Sequence, residues 1–358
     1  MTMDTDGKIG DGAPAPRIAA LPATMRAWVQ EGRGSADVLQ LREIALPAVA
    51  PDRVLVKVRA ASVNALDYHT IHGGLLLDIV SKLMRSKPDP YRGVDVSGVV
   101  VAAGADVAGL RPGDEVFGVA AGTFAEYALG SARGLVTKPK DMTFAQAAAV
   151  GVAAFTGLQA VRDHAHLAAG QRVLIFGAGG GVGTYAVQFA KALGAHVTAV
   201  TGPRNIDLVA GLGADEVIDY SKEDVTKRPA SYDAVVDVAA IRPIGALRRA
   251  LLPGGIYVLV GASKSGGWLG IFGRIAALIV RSKVLKQRAL MFIAKTGQAD
   301  LLYMRELIEA GKVRPQIDRV FPFEQTQEAV RYAETGQARA KARTSCSSVP
   351  RSRYAAAM

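Results

Sequence analysis

At 358 residues, half of them hydrophobic and 21% charged, the chain is long enough for two cores and too apolar to be mainly disordered. Its single cysteine, Cys346, excludes intramolecular disulfides, four-cysteine zinc sites and cysteine-ligated iron–sulfur clusters, and fits a reducing cytosol. The formal charge of +11 is unevenly placed: the last 28 residues, six basic side chains against Glu334, hold +5 of it, which describes a basic tail and not a nucleic-acid groove.

Residues 1–24 are rich in Gly, Ala, Pro and Asp without a continuous apolar run, so a flexible leader is expected and a signal peptide is not. From Met25 the chain is β-like. Val54, Val56 and Val58 alternate with Leu55, Lys57 and Arg59, Val96 and Val99 to Val101 are strand-like, and Arg111-Pro112-Gly113-Asp114 turns into Val116-Phe117-Gly118. Thr143 with Gln146 three residues later forms a capping box that opens an Ala-rich helical stretch to about Val161.

From Arg172 strands and helices alternate. RVLIF leads into a glycine cluster, a helix to Leu193, HVTAV, a helix near Asp207, EVID, YDAVVDV, a helix over Arg242 to Leu252 and a strand over Ile256 to Val260. Such alternation predicts parallel βαβ units. Val182, Tyr185, Ala186, Phe189, Ala190 and Leu193 give the first of these helices a buried stripe. The sheet then reads as complete. Trp268 to Lys286 is an apolar and basic insert, a lid or a membrane-surface element, and its apolar runs are too short for a transmembrane segment. A helix over Asp300 to Ala310, a strand over Ile317 to Pro322 and a helix over Glu324 to Glu334 return to the first domain.

The expected fold class is therefore α/β, a Rossmann-type doubly wound parallel sheet beside a discontinuous β-rich domain. Its expected parts are a leader at 1–24, the β-rich domain at 25–151, the parallel domain at 152–287, the return at 288–341 and a disordered basic tail at 342–358.

The strongest chemical signal is GAGGGVG, Gly177 to Gly183, between a strand and a helix. Read as Ala178, Gly180 and Gly183, it is the dinucleotide fingerprint. Small residues let the backbone approach a pyrophosphate, and the helix N-terminus offers its free N–H groups to the phosphates. The end of the second strand, Val200-Thr201-Gly202-Pro203-Arg204-Asn205, holds no carboxylate for ribose hydroxyls. Thr201, Arg204 and Asn205 suit a 2′-phosphate, so NADPH is the expected cofactor. No histidine is spaced with a cysteine or as HExxH, so no catalytic metal is expected, and hydride transfer to an electron-poor acceptor such as a quinone or an α,β-unsaturated carbonyl remains feasible.

VNALDYH (Val63 to His69), GVDVSGVVVAAG (Gly93 to Gly104), RPGDEVFG (Arg111 to Gly118), TFAEY (Thr123 to Tyr127), GVAAFTGLQ (Gly151 to Gln159), the glycine loop and LGADEVIDY (Leu212 to Tyr220) together resemble the zinc-independent medium-chain dehydrogenase/reductases. The quinone oxidoreductase group, with zeta-crystallin and the reticulon-4-interacting-protein-like reductases, is the branch most resembled, from about Met25 to Lys341. The resemblance implies a GroES-like catalytic domain, an active site in the cleft beside the Rossmann domain, and a homodimer. It places Asn64 and Asp67 on the substrate loop and His69 at a position often held by Tyr or Lys. Thr156 is set against the nicotinamide, and Gly181, Val182, Tyr220 and Gly261 join the cofactor contacts. Zinc-dependent relatives carry a Cys near the position of Asn64 and a His-Glu pair near Val94-Asp95. Neither occurs here, and Asp95 reads as a structural carboxylate. After Gly336 to Lys341, members continue with a β-branched strand that this chain lacks. The expected activity is an NADPH-dependent quinone or enone reductase of the cytosol that engages no nucleic acid. A noncatalytic NADPH-binding interaction module is the alternative.

Overall fold

The computed structural model describes residues 21–73, 91–260, 287–336 and 338–345. The first part of the chain supplies seven strands: β1 (Thr24–Gln30), β2 (Leu39–Ala45), β3 (Arg53–Ser62), β4 (Asp95–Ala103), β5 (Glu115–Val119), β6 (Tyr127–Ser131) and β7 (Leu135–Thr137). Helix α1 (Ala65–His72) follows β3 directly, so the residues at the end of that strand and the start of the helix share one corner. The alternation over Val54 to Arg59 is visible in the burial. Val54, Val56 and Val58 are all buried while Lys57 is exposed, and Leu55 is buried too because β3 is covered on both faces.

The Thr143–Gln146 capping box is present in both directions: the Gln146 amide nitrogen donates to Thr143 Oγ1 at 3.2 Å, and the Thr143 backbone nitrogen donates to Gln146 Oε1 at 3.0 Å. The helical stretch it opens is two helices, α2 (Phe144–Ala148) and α3 (Gly151–Gln159), and ends in a wider turn over Ala160–His164. A reason for the restart at Gly151 lies in Asp95. A methyl group on Gly151 would fall on its carboxylate, and the first turn of α3 is built around that contact.

The parallel domain contains β8 (Arg172–Phe176), α4 (Gly181–Ala192), β9 (His196–Thr201), α5 (Ile206–Gly211), β10 (Glu216–Asp219), β11 (Tyr232–Asp237), α6 (Ile244–Arg248), β12 (Leu251–Leu259) and β13 (Arg288–Met291). Its six strands run β10-β9-β8-β11-β12-β13, all parallel. This is the doubly wound order, with the reversal between β8 and β11 where a ligand crevice is expected. The predicted stripe of α4 is buried at Tyr185, Ala186, Phe189 and Ala190, and a buried Phe such as Phe189 contributes about 1.5–3 kcal/mol. Two expectations change. β13 adds a sixth strand, so the parallel sheet extends to Met291 and was not complete at Val260; four residues after a long insert carry too little pattern to be read. The helix expected over Arg242 to Leu252 is only Ile244–Arg248, and β12 begins at Leu251, ahead of the Gly254-Gly255 pair.

The return comprises α7 (Gln298–Glu309), β14 (Ile317–Pro322), α8 (Thr326–Glu334) and β15 (Lys341–Ser345). The second sheet runs β14-β15-β3-β4-β5-β7, with β6 on β3. β15 corrects the expectation of a disordered segment from 342 on. It pairs parallel with β14 and antiparallel with β3, Arg343 opposite Ser62, and the Val63 amide donates to the Ala342 carbonyl at 3.0 Å. Its sequence, KARTS, has no apolar alternation because the strand is held at both edges and buries Lys341, Ala342, Arg343 and Thr344 alike. The remainder of the predicted tail, the 268–286 insert and residues 1–20 of the leader lie outside the described residues; the end of the expected leader is structured, since Thr24 opens β1 and the Ala23 carbonyl accepts from the Leu46 amide at 3.0 Å.

Candidate active site

The glycine loop turns at Gly177 (φ +85°) and enters α4 at Gly180, where no side chain caps the helix, so the first-turn amides of Gly181, Val182 and Gly183 have no intrahelical acceptor. Gly183 must be glycine, since a methyl group there would lie 2.7 Å from the Ala178 Cα. At the end of β9, a methyl group on Gly179 would meet Asn205 Nδ2 at 2.5 Å and Thr201 Oγ1 at 2.6 Å, which sets both side chains directly over the loop. Asn205 Oδ1 is buried without a hydrogen-bond partner. An orphaned acceptor beside a cradle of small residues is what a bound nucleotide's hydroxyl or amine would satisfy. Arg204 is exposed next to it, and its charge reaches the Tyr332 phenol of α8. Tyr220 is half exposed and stands against Gly202. Thus Ala178, Gly180, Gly181, Val182, Gly183, Thr201, Arg204, Asn205 and Tyr220 come together on one side of the expected crevice; Gly261 lies outside the described residues.

The other wall is a buried polar cluster centred on Asp95, which is fully buried at the start of β4. Asp95 Oδ1 accepts from the Val152 backbone nitrogen at 2.7 Å, in the first turn of α3, where the helix dipole favours a carboxylate. Asp95 Oδ2 accepts from Ser62 Oγ at 2.6 Å, Asn64 Nδ2 at 3.0 Å and Lys341 Nζ at 3.2 Å. Lys341 Nζ also donates to Asn64 Oδ1 and, at 3.5 Å, to the Val63 carbonyl. Lys341 is the residue that sequence reasoning missed. It was visible only as the last position of the Gly336 to Lys341 element, and its partners Val63, Asn64 and Asp95 lie 278, 277 and 246 positions earlier.

Asp67 accepts from the Asn64 backbone nitrogen at 2.7 Å and so fastens the start of α1. Burial pushes its carboxyl up to about 7, the nearby Asp95 charge acts in the same direction, and the Asn64 N–H and the Lys341 charge oppose them. A raised carboxyl binds its proton in the folded state while the unfolded chain has lost it. Stability should therefore fall as pH rises from about 4 to about 7, by a few kcal/mol at most. Comparing thermal unfolding of the unmutated protein with Asp67→Asn from pH 4 to 8 should show the difference moving in favour of the variant with rising pH. A pH-independent difference would mean that Asp67 is not buried as a neutral acid.

Thr156 is half-buried on α3 and its hydroxyl donates to the Val152 carbonyl at 2.7 Å, leaving the oxygen free to accept. His69 is exposed on α1, its ring 4.6 Å from that of Tyr68, and is not part of the Asp95 cluster. Of the three residues expected to do chemistry, Asn64 and Asp67 are brought together and His69 is set apart. The two walls meet through the chain leading into β15. The Ala340 amide donates to the Gly179 carbonyl at 3.1 Å, Ala340 holds a left-handed φ of +57°, and a methyl group on Gly181 would lie 3.0 Å from Lys341 Cδ.

The comparisons with known proteins agree with this architecture. The family model for an alcohol dehydrogenase GroES-like domain matches residues 50–140, and that for a zinc-binding dehydrogenase matches residues 212–342. The NAD(P)H oxidoreductase RTN4IP1, mitochondrial, of Mus musculus is 36% identical over 90% of this chain and 89% of its own length. The chain belongs to the medium-chain dehydrogenase/reductase family. Within that family, the 2-methylene-furan-3-one reductase of Solanum lycopersicum is 31% identical over 90% of this chain and 79% of its own. The structure of the quinone oxidoreductase from Coxiella burnetii superposes with a TM-score of 0.77 at 30% identity, covering 90% of this chain and all of that one. This family member uses a nicotinamide cofactor. Among the described residues no three His, Cys, Asp or Glu side chains are grouped so as to hold a metal ion, and no helix is long and apolar enough to cross a membrane.

Proposed function

We propose that this chain is an NADPH-dependent reductase of quinones and α,β-unsaturated carbonyls that works without a catalytic metal. The carrying observation is the juxtaposition, through Ala340, of the glycine loop and the orphaned Asn205 oxygen with the buried Asn64–Asp95–Lys341 cluster. Bound there, NADPH supplies the hydride. The amides of Gly181 to Gly183 face the pyrophosphate, Arg204 with Thr201 and Asn205 takes the 2′-phosphate, and Thr156 borders the nicotinamide. Asn64 donates to the acceptor oxygen as charge develops there. The donor set supports metal independence. Asp95 has one oxygen on the Val152 amide and the other on Ser62, Asn64 and Lys341, and a carboxylate so engaged has little left for a cation. A cytosolic setting, inferred from the lone cysteine, and a homodimer, inferred from the resemblance, belong to the same reading; the mouse relative's name places that protein in mitochondria.

The test is NADPH oxidation by the purified protein against quinones, enones and simple aldehydes, with and without EDTA. Turnover with quinones or enones at a rate unchanged by the chelator is expected. Activity lost to EDTA and restored by Zn²⁺ would overturn metal independence, and tight NADPH binding with no acceptor turned over would favour the interaction module.

A further inference from the structure

A short chain of hydrogen bonds leads from Thr201 and Asn205 into the return segment. Both side chains sit over Gly179, whose carbonyl accepts from the Ala340 amide at 3.1 Å. The residue before Ala340 is Arg339, and its amide donates to Asp318 Oδ2 at 2.9 Å. The Tyr332 hydroxyl of α8 donates to that same oxygen. A phenol from the return therefore stands beside the glycine loop, and it carries a guanidinium: Arg319 Cζ, from β14, lies 4.6 Å from the centre of the Tyr332 ring. Phe321, 5.9 Å away, also packs against that ring. Arg204 approaches the same phenol from the parallel domain. Burial, and after it Asp318, push the Tyr332 phenol up, while the Arg319 and Arg204 charges both pull against them. Arg204 and Arg319 are exposed, and among the described residues neither is paired with a carboxylate. Asp318, the acid of this group, already holds two donors on Oδ2. Two unpaired cations that reach one phenol from different parts of the chain repel each other, and an anion between them relieves that repulsion.

We propose that Arg319 is a second specificity-determining residue for NADPH: seated on the Tyr332 ring, it reaches the 2′-phosphate from the return segment while Arg204 reaches it from the parallel domain. This rests on the NADPH reading above. A phosphate with about two negative charges and three acceptor oxygens can take both guanidinium groups, whereas the ribose hydroxyl of NADH gives neither an ionic partner. The flat Tyr332 ring suits a planar guanidinium and holds it without neutralising it. Preference for the phosphorylated cofactor then depends on two segments far apart in sequence, the end of β9 and the start of β14.

The experiment titrates two fragments, adenosine 2′,5′-bisphosphate and adenosine 5′-monophosphate, into the purified full chain at one fixed ionic strength. They differ only in the 2′-phosphate, and neither requires turnover. Arg319→Ala should weaken the bisphosphate about tenfold, the lower end of what a charge-assisted hydrogen bond gives because the site is open to solvent, and should change the monophosphate by less than about twofold. Tyr332→Leu, which removes the seat, should cost about as much, and the double variant should lose no more than about twofold beyond the worse single. Unchanged binding of the monophosphate shows that each variant is folded, and Tyr332→Phe, which keeps the ring, replaces Tyr332→Leu if that variant is not; it should then bind the bisphosphate within about threefold of the unmutated protein. Arg319→Ala that binds the bisphosphate as the unmutated protein does, or that weakens both fragments alike, would overturn the inference. An unmutated protein that binds the two fragments equally would instead overturn the NADPH reading beneath it.

Discussion

Ending the chain at Lys341 should lower the melting temperature by roughly 10–20 °C or send the protein into the insoluble fraction, with several kcal/mol lost at a few degrees per kcal/mol. The truncation removes Ala342 to Ser345, which lie between β14 and β3, and so cuts the second sheet in its interior. It also removes the Ala342 carbonyl that receives the Val63 amide, immediately before Asn64. Each backbone bond contributes about 0.5–1.5 kcal/mol net, and a buried donor left without a partner costs about 1–3 kcal/mol more. A cut of this size is comparable with the whole stability of an ordinary domain, about 5–15 kcal/mol. Thermal unfolding of the two chains side by side is the measurement. A melting temperature lowered by only a degree or two would show that β15 is not structural.

Arg204→Ala should weaken NADPH binding by about 10 to 150-fold and leave NADH nearly unchanged, the equivalent of a charge-assisted hydrogen bond of about 1.5 to 3 kcal/mol. The exposed guanidinium can turn toward a 2′-phosphate, while Thr201 and Asn205 supply weaker neutral contacts. The carboxylate nearest in the strand register is Asp219, opposite Thr201. Its Oδ1 accepts from the Ser221 amide at 2.9 Å and the Ser221 hydroxyl at 2.7 Å, which offsets part of its repulsion. Dissociation constants for both cofactors, taken at one fixed ionic strength because phosphate contacts are screened by salt, decide the matter. Equal affinities in the unmutated protein, or equal losses on mutation, would sink the NADPH assignment.

What could be read from the sequence was whatever has a local cause. The glycine loop was legible because the spacing of Ala178, Gly180 and Gly183 answers to one geometry, a strand turning into a helix against a phosphate. The stripe of α4 was legible because burial on one face of a helix repeats every three to four residues. β15 was not legible, since its burial comes from pairing with β3, about 280 positions earlier, and apolar alternation finds only strands that bury one face. Asn64 and Asp67 were named from the resemblance, but their roles depend on partners brought by folding. Asp67 fastens the Asn64 backbone, and Lys341 with Asp95 sets the Asn64 amide.

The pairing of Arg343 with Ser62 also fixes an order of events during synthesis. The parallel sheet is continuous in the chain from β8 to β13 and can close as soon as Met291 has cleared the ribosome. The first domain has its early strands from the start but waits for its last partner. At about 5–20 residues per second that wait is roughly 14–60 s, during which Ala60 to Ser62, the stretch of the β3 edge beyond β6, has no strand beside it. Translation speed through the final third of the message, and any chaperone that covers an open sheet edge in that interval, therefore bear on the yield of this protein more than on that of one whose first and last strands are neighbours in sequence.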